Sequence, residues 1–299
     1  MPFGGYDNKY KEWRMIQTEP RFAGIKKMNI KAAALPDRTG KLSTILDEAE
    51  EKLSGLKGRT VFCPDFAPAD IAQEISKKGG LPVFIDASPD DWGMDPEALD
   101  TAFELYPETE LVIFPDIYGS LGQMEEIARI CAEHGALLAG DISACGEGEN
   151  NRAVGAMVQI YEKYEEKLAP LDIWMNPELP HPCMMIEGNG LSGAKEDVHG
   201  KTTPAEIVEA LETFGIKSDR LYEPVHLKPE YAENDFVSAD GSRFEYEDGG
   251  LFPMTDESGY IYERGVILPA YPEMTEEEQD TVIEIIYACF NRRDMERLP

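Results

Sequence analysis

Three apolar runs in this 299-residue chain each stop on an aspartate. LPVFID ends at Asp86, ELVIFPD at Asp116 and GALLAGD at Asp141. Short apolar runs of this length read as buried strands. A carboxylate at the C-terminal tip of a parallel strand lies where open α/β sheets gather ligand chemistry. Asp86, Asp116 and Asp141 facing one crevice would supply an acid–base pair, the equipment of a hydrolase or lyase that needs no cofactor. Asp141 has a second reading, as a side chain closing the turn that follows it.

The elements that must position these acids follow from periodicity. Leu42, Ile45, Leu46, Ala49 and Leu53 have amphipathic helical spacing over Lys41 to Leu56. RTVFCPD (Arg59 to Asp65) reads as a strand, Pro68 to Lys78 as a helix, and Leu81 to Asp86 as a second strand. Asp95-Pro96-Glu97 starts another helix, with Asp as cap and Pro in the first turn. Glu110 to Asp141 is a strand–helix–strand unit. Strands and helices alternating at this interval predict a parallel, doubly wound sheet.

Beyond Asp141 the pattern changes. ISACGEGENN reads as a loop, Arg152 to Leu168 as a helix and CMMIEG as a short strand. Thr203 to Glu206 and Thr275 to Glu278 are capping boxes that open helices through Phe214 and Phe290. Arg220 to Pro229 reads as extended, Tyr231 to Gly259 as a long polar loop and Gly265 to Pro269 as a strand. The expected division is a trimmed α/β domain over 1–150, its first 40 residues without clear period, and a small α+β domain over 151–299.

Composition narrows the function. Fifty-eight acids against 28 basic residues give a formal charge of -30. Such a surface repels phosphate backbones and argues against nucleic-acid partners. No apolar run approaches a membrane span, and the start MPFGGYDNKYKEWR has no secretory apolar region. Five scattered cysteines without CxxC spacing read as reduced thiols of a cytoplasmic protein, not as a zinc site. The acidic loop DGSRFEYEDGG lacks the spacing of a calcium loop, so no metal site is expected.

Three stretches carry a resemblance. GLPVFIDASPDDWGMDPEALDTAF (Gly80 to Phe103) and IYGSLGQMEEIARICAEHGALLAGD (Ile117 to Asp141) are similar to the strand, helix and acidic strand of DegT-type (DegT/StrS) sugar aminotransferases. IKSDRLYEPVHLKPEY and YERGVILPAYPEMTEEEQDTVIEII resemble that family's Pro-x-His-x-x-Pro segment and its closing helix. The resemblance implies a reduced fold-type-I aminotransferase: a parallel doubly wound sheet domain plus a small C-terminal α+β domain. It implies pyridoxal phosphate as cofactor, a keto sugar nucleotide as ligand, and a homodimer or a heterodimer with a related subunit. Asp141 then matches the acid on the pyridine nitrogen. Ser43 and Thr44, in TGKLST, fall where the family binds phosphate at a helix N-terminus, and Tyr118 is the Tyr of its Tyr-Gly turn.

The chain also departs from that pattern. The family's ring-covering aromatic falls close to Pro68, with Phe66 read as core, and the histidine before its Tyr-Gly turn is Asp116. Its arginine after the Ser falls on Asp219, with Arg220 displaced by one. Pyridoxal phosphate enzymes need a lysine for the Schiff base, and the loop that follows Asp141 holds none. AGIKKMNIKAAAL (Ala23 to Leu35) resembles the helix that the family carries after its lysine. A rearranged chain would therefore make Lys9, in PFGGYDNKY, a displaced catalytic lysine. Three functions follow: a degenerate family member that does not transaminate, an active aminotransferase using a displaced lysine, or a carboxylate-based hydrolase or lyase.

Overall fold

A computed structural model describes residues 20–31, 39–141, 151–187, 202–241 and 256–290, and within them the side chains of 20–31, 42–140 and 155 onward. Lys9 and the side chain of Asp141 lie outside the described residues, as do the loop 142–150 and the acidic loop after Gly241.

The first sheet is parallel throughout. β1 (Thr60–Pro64), β2 (Leu81–Ile85), β3 (Leu111–Pro115) and β4 (Leu137–Asp141) line up in the order β4-β3-β1-β2, and β8 (Phe236–Val237) closes the β2 edge. The register brings the strand ends level: Pro64 pairs with Ile85, and Pro115 with Asp141. Side chains alternate in period two. Val61, Cys63, Phe84, Leu111 and Ile113 face α1 (Thr39–Leu53) and α2 (Asp70–Lys77). Phe62, Val83, Ile85, Val112 and Phe114 face α3 (Pro96–Leu105) and α4 (Met124–His134). Cover on both faces is why these strands are continuously apolar rather than alternating in polarity.

The second sheet is antiparallel, ordered β5-β6-β9-β7, from β5 (Ile173–Met175), β6 (Cys183–Ile186), β7 (Asp219–Arg220) and β9 (Gly265–Ile267). Met184 and Ile186 pack with α5 (Asn151–Leu168), α6 (Pro204–Thr213) and α8 (Glu276–Cys289). Cys183 and Met185, on the opposite face, enter the core that holds Val61, Phe66 and Tyr118. One apolar core thus joins the two sheets. The caps form as their residue types require: Asp95, Thr203 and Thr275 each accept from a first-turn N–H. Only Thr275–Glu278 closes as a full box. The Glu206 carboxylate instead takes Arg21 and the Thr202 hydroxyl.

Three further expectations need correction. Arg220 to Pro229 is not extended throughout, because Val225–Leu227 forms a 3-10 turn. Tyr231 to Gly259 is not one polar loop, because Phe236–Val237 adds to the parallel sheet and Glu257 opens α7 (Glu257–Arg264). The stretch from Ala23 is not helical as far as it is described. It runs extended to Ile30, which bridges Ile216 beside α6. Gly215 there has φ +81°, and a Cβ on it would stand 2.0 Å from the Met28 carbonyl oxygen. Glycine is required by this approach, and the strand-like pairing it permits outweighs any helical tendency of KKMNIK.

Candidate functional site

The acids at the strand ends are brought together. Asp65, Asp86 and Asp116 directly follow β1, β2 and β3, three neighbours in the sheet, and all three are buried. Asp141 ends β4 next to them. α1 precedes β1 through a short return from Leu53 to Thr60, so its first turns open at this same end of the sheet. There Ser43 is half-buried and Thr44 exposed.

Asp65 is held on both sides. Its N–H donates to Ile85 O, and its carbonyl accepts from Val225 N–H. Its Oδ1 accepts from the His226 N–H at 2.9 Å, and its Oδ2 lies 2.7 Å from His226 Nδ1. The His226 ring is itself buried and tilts on Phe236, centroids 4.6 Å apart. Burial alone would depress the imidazole pKa. The charges of Asp65, Asp256 and Asp86 outweigh it and raise the value above the ordinary one.

Asp86 works at longer range. Its Oδ1 accepts from Ser258 N–H at 2.9 Å, the Ser258 hydroxyl at 2.8 Å and Ala87 N–H. Its Oδ2 accepts from Glu257 N–H at 3.0 Å. A strand-end carboxylate thus closes the N-terminus of α7, at the positive end of that helix. Burial nonetheless pushes its pKa up to about 6, and burial beside Asp86 and Asp256 pushes Glu257 up to about 7. Asp256, the N-cap of α7, accepts from Gly259 N–H at 2.6 Å through Oδ1. Its Oδ2 is buried and accepts no hydrogen bond among the described residues. Carboxylate oxygens of Asp65 and Asp256 and a ring nitrogen of His226 lie within 4.8 Å of one another.

Tyr118 sits deeper. Its φ is +48°, its ring stacks on Tyr222 at 4.4 Å, and its hydroxyl accepts the Tyr222 N–H at 2.8 Å. Phe66 meets both rings edge-on, inside the core as expected. The group that sequence reading missed is Asp65 with His226 and Asp256. His226 was legible only as the histidine of a Pro-x-His-x-x-Pro segment, and Asp65 only as the end of a strand.

This architecture and the motifs at its strand ends agree with the comparisons to known proteins. The model of the DegT/DnrJ/EryC1/StrS aminotransferase family matches residues 31–162 and 159–287. The chain belongs to that family. The putative pyridoxal phosphate-dependent aminotransferase EpsN of Bacillus subtilis (strain 168) is 22% identical over 352 residues, covering 91% of this chain and 87% of EpsN. A DegT DnrJ EryC1 StrS aminotransferase from Brucella abortus superposes with a TM-score of 0.62 at 16% identity, covering 96% of each chain. The putative sugar aminotransferase Spr1654 from Streptococcus pneumoniae, in its pyridoxal phosphate form, gives a TM-score of 0.60 at 12% identity, with 97% of this chain and 98% of that one covered. The fold is therefore the fold-type-I aminotransferase fold of the DegT family, with a parallel sheet domain.

Pyridoxal phosphate requires an amine, one acid and a set of phosphate donors. Of that set, the described residues include the hydroxyls of Ser43 and Thr44, while Lys9 and the side chain of Asp141 lie outside them. Every lysine whose side chain is described is exposed or half-buried. Lys78 pairs with Asp47 and Glu50, Lys163 with Asp280 and Lys228 with Glu223. The strand ends carry three buried carboxylates, a field that opposes a phosphate dianion. Both the ring face and the hydroxyl of Tyr118 are engaged by Tyr222.

Proposed function

We propose that this protein is a DegT-family member that does not transaminate and that uses its strand-end cleft through carboxylates and one imidazole. The observation that carries the reading is the set Asp65, Asp86 and Asp116, buried at three adjacent strand tips, with no lysine beside them among the described residues. In an aminotransferase the lysine holds the cofactor and moves the proton between carbon atoms. A lysine on the surface and paired with acids does neither. The strand-end site takes a small hydroxylated ligand, with a nucleotide sugar the first class to try, because open α/β sheets gather their ligands at this end. Asp86 and Glu257, with raised pKa values, supply groups that exchange protons near neutrality. The protein acts in the cytoplasm as a homodimer or beside a related subunit.

The test is direct. The purified protein is mixed with pyridoxal phosphate, its visible spectrum recorded, the mixture reduced with borohydride and the peptides mapped. The expected result is no pyridoxyl-lysine in stoichiometric yield. One such lysine per chain, at Lys9 or elsewhere, would overturn the proposal and establish a working aminotransferase with a displaced lysine.

A further inference from the structure

We infer that Asp65, His226 and Asp256 form a binding site for one divalent transition-metal ion. The donor set is two carboxylate oxygens and one imidazole nitrogen, all within 4.8 Å of one another and all buried. Two oxygen donors and one nitrogen suit zinc and its neighbours in the first transition row better than magnesium or calcium, which take oxygen alone. The second observation is Asp256 itself. Its residue is 3% exposed, and its Oδ2 has no hydrogen-bond partner among the described residues while Oδ1 is spent on Gly259 N–H. A buried carboxylate oxygen without a hydrogen-bond partner is costly, and a cation that meets it removes that cost.

Charge leads to the same place. Asp65, Asp86 and Asp256 approach one another around a single imidazole. A protonated His226 offsets only one of these carboxylates, whereas a divalent ion with a neutral imidazole neutralises both ligand carboxylates, Asp65 and Asp256. The ligands come from three separate elements. Asp65 ends β1, His226 lies in the turn that leads toward β8, and Asp256 caps α7. They are already held in place, by Asp65 N–H to Ile85 O, Val225 N–H to Asp65 O and Gly259 N–H to Asp256 Oδ1. Binding needs a rearrangement of side chains: the 2.7 Å contact between Asp65 Oδ2 and His226 Nδ1 must open, since two ligands at about 2.0–2.1 Å from a tetrahedral zinc ion stand roughly 3.3 Å apart. Three protein ligands leave a further position for water or a ligand atom, as in catalytic sites. The inference is independent of whether the chain holds pyridoxal phosphate.

The experiment uses the full chain, stripped with chelator and dialysed against Co²⁺ or Zn²⁺ with excess Mg²⁺ to occupy the acidic surface. The expected result is one Co²⁺ per chain with visible d–d absorption, displaced by Zn²⁺. Asp256→Asn keeps the N-cap and removes the charge, and His226→Gln removes the imidazole. Each should weaken binding by at least about tenfold, since even outer-shell losses cost that much. Glu230→Gln, on an exposed carboxylate beyond His226 and outside the set, should leave it unchanged. Circular dichroism of each variant verifies folding. Binding that survives Asp256→Asn undiminished, or no binding above the Mg²⁺ background, would overturn the inference.

Discussion

Asp86 and Ser258 are 172 positions apart in sequence, yet one carboxylate oxygen accepts both the backbone N–H and the hydroxyl of that serine. This contact ties the end of β2 to the first turn of α7 and joins the parallel sheet to the C-terminal half. It carries a pH dependence. Burial raises the folded-state pKa of Asp86 from 3.8 to about 6. A group raised in the folded state contributes stability that is full below its unfolded value and lost as pH rises through the folded one. Glu257, Asp256, Asp95 and His226 are the ionisable groups around it. With chelator present, the stability advantage of the native protein over Asp86→Asn should shrink between about pH 4 and pH 6, by up to about 3 kcal/mol. Urea unfolding across that range measures it. An advantage that grows with pH would sink the assignment.

Tyr118 was an expected cofactor contact, and its hydroxyl is already engaged by Tyr222 N–H. Tyr118→Phe removes that acceptor from a buried backbone donor and keeps the stacked ring. The expected cost is about 1 kcal/mol of stability. Ligand affinity at the strand-end cleft should be unchanged. A variant of full stability with lost ligand binding would return Tyr118 to the site.

Much of the fold was legible because the parallel sheet announces itself. Runs such as TVFCP and LVIFP are apolar on both faces, and helix starts such as Asp95-Pro96 carry their own caps. Phe236–Val237 was not legible. Two residues have no period, and their strand character comes from the open edge of β2 rather than from their neighbours in sequence. The same return of the chain hid the site. His226 meets Asp65 across 161 positions only because 225–237 docks on the sheet. Asp256 reads locally as nothing more than an N-cap. Acids ending strands could be found from sequence, since each ends its own run, but their partners come from tertiary packing.

The formal charge of -30 should make this protein more stable in salt. Two effects compete. Salt weakens exposed ion pairs such as Arg129 with Glu126 and Glu133, or Lys78 with Asp47. Exposed pairs of this kind contribute little to stability. Salt also screens the repulsion among 58 acids that only 28 basic residues offset. That repulsion acts over every acidic face at once and opposes the compact state. The screening length falls from about 10 Å at 0.1 M to about 3 Å at 1 M, below the spacing of most surface charges. Repulsion between acids should therefore be lost faster than the short paired contacts. The urea midpoint should rise between these two concentrations of NaCl, and rise equally with KCl if screening is the cause. A midpoint that falls would mean that the surface pairs, not the excess acid, govern the electrostatics of folding.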